Sequence, residues 1–253
     1  MSQLNREDLL REHRPENIAR RLRQKPKSQK VSDFVLGAID GCVTTFAVVS
    51  GAFGAGFSPA VVLVLGFANL LADGFSMGVS NYEAVSAERE FREVAKRTEE
   101  RHIELVPEGE REEVRQIFAN KGFSGETLQR IVATITANRS LWIETMLTEE
   151  YGLNRTRYNP MASALVTFAA FVTVGAVPLI PFLIPQLALQ TQFTVSTLLA
   201  GLMFFAIGMM KSLVYSQPVL RSGLNTFLFG GAAAGLAFLT GYLLRNLFGV
   251  DVS

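Results

Sequence analysis

Apolar residues in this chain fall into long unbroken blocks. They show neither the short alternations of a half-buried sheet nor the one-sided stripes of a surface helix. A helix needs about 20 mostly apolar residues to cross a bilayer. Phe34–Phe57 and Pro59–Tyr82 are each long enough, with a tight turn at Gly56-Phe57-Ser58-Pro59. The uncharged run Met161–Met210 is too long for one crossing. Pro178, Pro181, Pro185 and the polar patch Gln186–Gln192 divide it into about Met161–Ile184 and Phe193–Met210. A last block covers Ser222–Leu244. The pattern predicts an all-α, polytopic membrane protein with five transmembrane helices and a cytoplasmic helical insert between helices 2 and 3.

The insert follows Glu83 and reads as helical throughout. Glu88–Leu105 continues the second span up to Pro107, and Glu108–Asn120 is a second helix ending at Lys121-Gly122. Ser124 is placed to N-cap a third helix, and Asn138 a fourth that stops at Gly152. Val114, Ile117, Phe118, Leu128, Ile131, Ile135, Leu141 and Trp142 recur at helical spacing and suffice for a small core. The expected division is a basic tail over 1–31, membrane helices 1–2 over 32–85, a Glu-rich metal-binding domain over 86–157, and membrane helices 3–5 over 158–253.

Charge then sets orientation. Lys30 and the residues before it include nine of the chain's 24 Lys and Arg, whereas the Gly56–Pro59 and Pro178–Gln192 turns have none. Lys211 and Arg221 flank the connection between spans four and five. The excess of cations on short cytoplasmic flanks places the N-terminus and the insert in the cytoplasm. The basic tail is expected to lie near anionic lipid headgroups. With 24 basic against 23 acidic residues the net charge is only +1, which argues against a nucleic-acid partner held by bulk charge. The single Cys42 lies inside a span, so no disulfide framework forms. No secretory signal and no phosphate-binding Gly-x-x-x-x-Gly-Lys-Ser/Thr loop is seen.

Two carboxylates inside the spans carry the candidate chemistry. A charge at mid-bilayer costs on the order of 3 kcal/mol or more, so such groups face an interior and mark a pathway. Asp40 has Thr44 one turn on, on the same face of its helix. Asn69, Asp73 and Met77 form an i, i+4, i+8 stripe on the next. An amide, a carboxylate and a thioether suit a soft-to-borderline divalent cation better than Mg²⁺ or Ca²⁺. Gly37, Gly41, Gly74 and Gly78 interleave with these groups, and Gly231 and Gly235 repeat the spacing in the last span. They predict close helix packing, of spans one and two in particular, within one chain or across a dimer. In the insert, Glu99 and His102 share one helix face, Glu110 and Glu113 another, and Met146, Glu149 and Glu150 a third. Donors from three helices suit an Fe²⁺ or Mn²⁺ site, although Glu-rich helices with Arg neighbours are more often simply solvated faces.

Asp40-Gly41-Cys42-Val43-Thr44-Thr45-Phe46-Ala47, Leu71-Ala72-Asp73-Gly74-Phe75-Ser76-Met77-Gly78 and Tyr82 resemble the vacuolar iron transporter family. So does the order of two spans, a Glu-rich helical insert and three spans, over about Ser32–Leu244. The resemblance implies Fe²⁺, and often Mn²⁺, moved out of the cytosol in exchange for protons. It implies a homodimer with the path between the two copies of span one, and no prosthetic group. By position, Asp40 and Met77 match path residues, and Glu99, Glu110, Glu113, Met146 and Glu150 match the cytoplasmic metal-binding domain. Asn69 stands where eukaryotic members carry a carboxylate, with Asp73 one turn on as its replacement. His102 stands where the pattern has Glu, and Leu147 where a second Met occurs.

Two other readings differ in class. Glu99-x-x-His102 is half of the paired motif of di-iron carboxylate bundles, so a membrane-tethered ferroxidase or ferritin-like enzyme is one alternative. The only other histidine, His13, supplies no second half. A membrane metal sensor is the other alternative, although it gives Asp73 no role. The expected location is a prokaryotic plasma membrane, with a vacuolar membrane as the alternative.

Overall fold

The computed structural model describes residues 6–23, 28–153, 158–215 and 218–249. Lys25 and Lys27 of the basic tail, and the expected domain boundary at residue 157, lie outside them. Among the described residues all regular structure is helical. The helices are α1 (Arg6–Glu12), α2 (Pro15–Arg23), α3 (Ser28–Ala55), α4 (Pro59–Leu105), α5 (Pro107–Asn120), α6 (Gly125–Thr136), α7 (Arg139–Glu149), α8 (Pro160–Gly175), α9 (Leu189–Tyr215) and α10 (Val219–Phe248). A 3-10 segment, Val177–Leu183, follows α8. The chain forms two compact units, Met1–Tyr82 with Pro160–Ser253, and Glu83–Asn159.

Four helices of the first unit are long and apolar enough to cross a membrane, or five crossings if α8 and the 3-10 segment count as one. That pair is bent by 41°. The bend has a sequence cause, since Pro178 and Pro181 lack amide donors and clash with the preceding turn. The freed backbone groups are answered internally, as an apolar medium requires. Ser196 Oγ donates to the Pro178 carbonyl at 2.7 Å, and Gln192 Nε2 to the Ile184 carbonyl at 3.0 Å. Of these two donors, Gln192 belongs to the polar patch that divides the spans, and Ser196 lies in α9. At the N-terminus the basic tail forms two short helices where only a solvated tail is expected.

The core of the first unit is built on α3, with Val49, Leu70, Phe171, Leu179, Phe204 and Ile207 all fully buried. Phe53 stacks on Phe193 with centroids 3.9 Å apart. Outward-facing positions stay apolar, among them Val64, Phe75, Leu198, Leu202, Phe229 and Leu236, as suits a lipid-facing surface. The glycines correct the sequence expectation. A Cβ on Gly37 would lie 2.2 Å from the Thr167 carbonyl oxygen, and one on Gly41 2.4 Å from that of Phe171. The tightest approach made by these residues is thus span one against α8, not against span two. Gly74 and Gly78 also face α8. Gly231 and Gly235 meet nothing, whereas Gly241 closes on the Gly51 carbonyl. Spacing identifies small residues but not the helix that each one faces.

The second unit packs Val114, Ile135, Trp142 and Met146 into one core and Ala95, Ile143 and Leu147 into another. Asn138 caps α7 as expected, its side chain accepting the Leu141 amide, but the Ser124 side chain makes no cap bond. Arg92 is buried and its guanidinium bonds Glu144 at 2.7 Å, which ties α7 to α4. Gly122 and Gly152 take the left-handed backbone (φ +94° and +67°) at the ends of α5 and α7.

Gly41→Ala should cost about 1–3 kcal/mol of stability, because the added methyl meets backbone rather than a movable side chain. Gly231→Ala should stay within about 0.5 kcal/mol. Denaturant unfolding of the two variants in detergent, side by side with wild type, checks the contrast.

Candidate metal sites

In the first unit two side-chain contacts fix how α3 and α4 face each other. Asn69 Nδ2 donates to Thr44 Oγ1 at 3.4 Å, and Asn81 Nδ2 donates to Asp33 Oδ1 at 3.1 Å. The contacts are separated by eleven residues on α3 (33 to 44) and twelve on α4 (69 to 81). The helices are therefore antiparallel and in register, and Asp40 and Asp73 fall at matching depths between the contacts. The two carboxylates lie within electrostatic reach of each other. Thr44 Oγ1 also donates to the Asp40 carbonyl at 2.8 Å, which leaves its lone pairs toward α4. Asp40, Thr44, Asn69 and Met77 are half-buried, while Asp73 is exposed.

Asp33, Asn81 and Thr167 were not among the sequence candidates, yet hydrogen bonds join the three. Asp33 is 3% exposed and Thr167 fully buried. Asn81 continues the 69–73–77 stripe by one more turn, and Asp33 lies two turns before Asp40. Asp33 falls one residue before the expected first span, whereas Asn81 and Thr167 lie inside the expected second and third.

In the second unit α4, α5 and α7 bring most of the acidic candidates together. His102 Nδ1 stands 3.2 Å from Glu110 Oε1 and 3.8 Å from Glu99 Oε1. Tyr151, also missed from sequence, donates its hydroxyl to Glu99 Oε1 at 3.1 Å. Glu99 and Glu110 are buried, and the Oε2 atom of each has no hydrogen-bond partner. Met146 is fully buried, while His102, Glu113 and Glu150 are exposed. Glu149 is engaged elsewhere, by Lys121 Nζ at 2.5 Å.

Electrostatics shows how close these carboxylates are. Burial, reinforced by Glu99, Glu113 and Glu150, pushes the Glu110 carboxyl up to about 8. Burial and the same neighbours Glu99 and Glu113 raise Glu150, with His102 opposing. Burial and the bond to Glu99 push the Tyr151 hydroxyl up to about 12. Repelling anions that share one volume hold protons that a cation would displace. Among the described residues no three His, Cys, Asp or Glu side chains are grouped closely enough to hold a metal ion. The carboxylates and the imidazole are donors of a kind that a borderline divalent ion takes, while Met146 packs in the apolar core with Val114, Ile135 and Trp142.

The sign of the Glu110 effect follows from its raised value. Between its ordinary value of 4.5 and about 8 the folded state binds more protons than the unfolded chain. Its contribution to stability is therefore intact below the lower value and is lost as pH rises through this window. In thermal melts of the metal-free protein from pH 5 to pH 8.5, Glu110→Gln should flatten that decline. Stabilisation of wild type by added Mn²⁺ should grow with pH over the same range. An unchanged slope in the variant contradicts this assignment.

Comparison with known proteins adds an independent line. The profile of the VIT family matches residues 31–242. A vacuolar iron transporter of Plasmodium falciparum is 32% identical over 221 residues, covering 84% of this chain and 81% of its own. One from Toxoplasma gondii is 33% identical over 235 residues, covering 89% and 78%. Vacuolar iron transporter 1 of Arabidopsis thaliana is 29% identical over 217 residues, covering 85% and 86%.

Proposed function

The chain belongs to the VIT family, and from that premise we propose that it is a proton-coupled Fe²⁺ transporter, with Mn²⁺ as a second cargo, that exports metal from the cytosol. The observation that carries the reading is the pairing of Asp40 with Asp73 at matching depth, one turn from Met77, on two membrane helices. Carboxylates are retained inside a membrane at a cost of a few kcal/mol when they have an ion to handle. Relatives at about 30% identity are named iron transporters, which favours transport over the ferroxidase and sensor readings.

Metal first collects at Glu99, His102, Glu110, Glu113, Met146 and Glu150, with the insert in the cytoplasm. Glu149, paired with Lys121, sits at the rim of that set. The ion then passes Met77, Asp73 and Asp40, with Asn69 and Thr44 as neutral oxygen donors. A soft thioether beside carboxylates favours Fe²⁺ or Mn²⁺ over Ca²⁺ and Mg²⁺. Each carboxylate must be deprotonated to bind, so a proton arriving from the far side releases the ion there. Asp73 is exposed on the protomer, and lipid is a poor neighbour for it. A second copy of this chain covers it in our reading, with the path between the protomers. The basic tail then faces cytoplasmic lipid headgroups, in a prokaryotic plasma membrane.

Anaerobic Fe²⁺ uptake into proteoliposomes tests the reading. Asp40→Asn and Asp73→Asn should each cut the rate at least about tenfold, the scale of one lost charge-assisted contact. Glu110→Gln should mainly raise the Fe²⁺ concentration needed for half-maximal rate. Wild-type rates in the double Asp40→Asn/Asp73→Asn variant would exclude the path.

A further inference from the structure

Asp33 poses a question that the transport reading leaves open. It is 3% exposed, and its Oδ2 has no hydrogen-bond partner, so its burial is costly. Its Oδ1 accepts two amides, from Asn81 on α4 at 3.1 Å and from Gln29 one turn back on α3 at 3.0 Å. The Asn81 amide also donates to Thr167 Oγ1 on α8 at 2.7 Å, and Thr167 Oγ1 donates to the Asp33 carbonyl at 3.3 Å. Three membrane helices thus meet at one side-chain knot. Thr167 belongs to the α8 backbone stretch that Gly37 closes against, so the α3–α8 side of the knot is rigid. On the α3–α4 side, side-chain bonds set the register.

We infer that Asp33 and Asn81 are positioning residues that lock the register of α4 on α3 and so hold Asp73 and Met77 opposite Asp40. The Asn69–Thr44 bond closes the far end of the same frame, but at 3.4 Å it is the weaker of the two. Asp40 and Asp73 repel when both are ionised, and that repulsion must be borne by the frame around them. A charged acceptor for the Asn81 amide gives the frame its strength, since bonds to an ionised acceptor are roughly twice as strong as neutral ones. This explains a carboxylate at position 33, where a neutral amide would be cheaper to bury. The inference rests on the transport reading for its consequence but not for its geometry.

The test uses full-length protein with the charge moved between helices. Asn81→Asp alone sets two carboxylates face to face. Adding Asp33→Asn restores one carboxylate and one amide, now exchanged, and the Thr167 hydroxyl can turn its proton from the residue 33 carbonyl to position 81. Per folded molecule, Asn81→Asp should lower Fe²⁺ flux at least about tenfold, the size of effect expected from a small misplacement of binding groups. The double variant should recover most of it. Asn81→Leu should lower flux without recovery by Asp33→Asn. A second readout is independent of transport. In a Cys42→Ala background, Leu36→Cys and Met77→Cys lie at matching depth by the register of the two contacts and should be joined by a short bifunctional thiol reagent. Asn81→Asp should reduce that joining, and Asp33→Asn should restore it. Unchanged flux and unchanged joining in Asn81→Asp overturn the inference. So does loss without recovery in the exchanged pair, which would make Asp33 itself a group that binds cation or proton. If wild type moves no metal, the transport reading fails, and the cross-linking pattern alone decides the register claim.

Discussion

The constraint on which the rest of this structure depends is the cost of keeping ionisable groups inside an apolar medium. A carboxylate in a membrane helix is tolerated only where another group offsets its lost hydration. Asp33 meets that cost with two amides, and Thr167 bonds its backbone carbonyl. Asp40 has no such amide donors, and the charged group that acts on it, Asp73, has the same sign. A pair that the chain's own side chains leave unneutralised is suited to a cation or a proton. Glycines bring α8 against α3 at backbone distance, and side-chain hydrogen bonds set α4 beside it.

The same logic recurs in the second unit with different materials. There, Glu99 and Glu110 are buried together, and each leaves one oxygen unbonded. Burial, reinforced by the neighbouring carboxylates, holds a proton on Glu110 up to about 8. A cation relieves both this repulsion and the desolvation. The two clusters differ in one useful respect. The acidic group of the second unit contains an exposed imidazole, open to solvent and to pH, whereas the membrane stripe relies on carboxylate, amide and thioether. The first arrangement is suited to collecting metal and the second to passing it on.

Much of the architecture was legible in the sequence because membrane crossing imposes a length and a composition that few other folds share. The blocks at Phe34–Phe57 and Ser222–Leu244, the proline break after Gly175 and the helical run through Leu105 were read at close to their observed positions. The partners of the glycines were not, because small-residue spacing carries no information about which neighbour approaches. Asp33 escaped notice because it lies one residue before the apolar block, although α3 begins at Ser28. Tyr151 escaped because a tyrosine beside two glutamates gives no periodic signal; only the fold turns its hydroxyl to Glu99. Glu149 and Glu150 were indistinguishable in the sequence. Their separation depends on Lys121, which tertiary packing brings to one of them.

The central claim is that metal and protons exchange through the site that Asp40 and Asp73 frame. Proteoliposomes loaded with a metal-sensitive and a pH-sensitive dye, read together under anaerobic conditions, test it most directly. Fe²⁺ should enter as protons leave, with the two signals rising and falling together across a series of imposed pH gradients. Metal entry at a rate indifferent to the gradient, with no matching proton signal, would contradict the account.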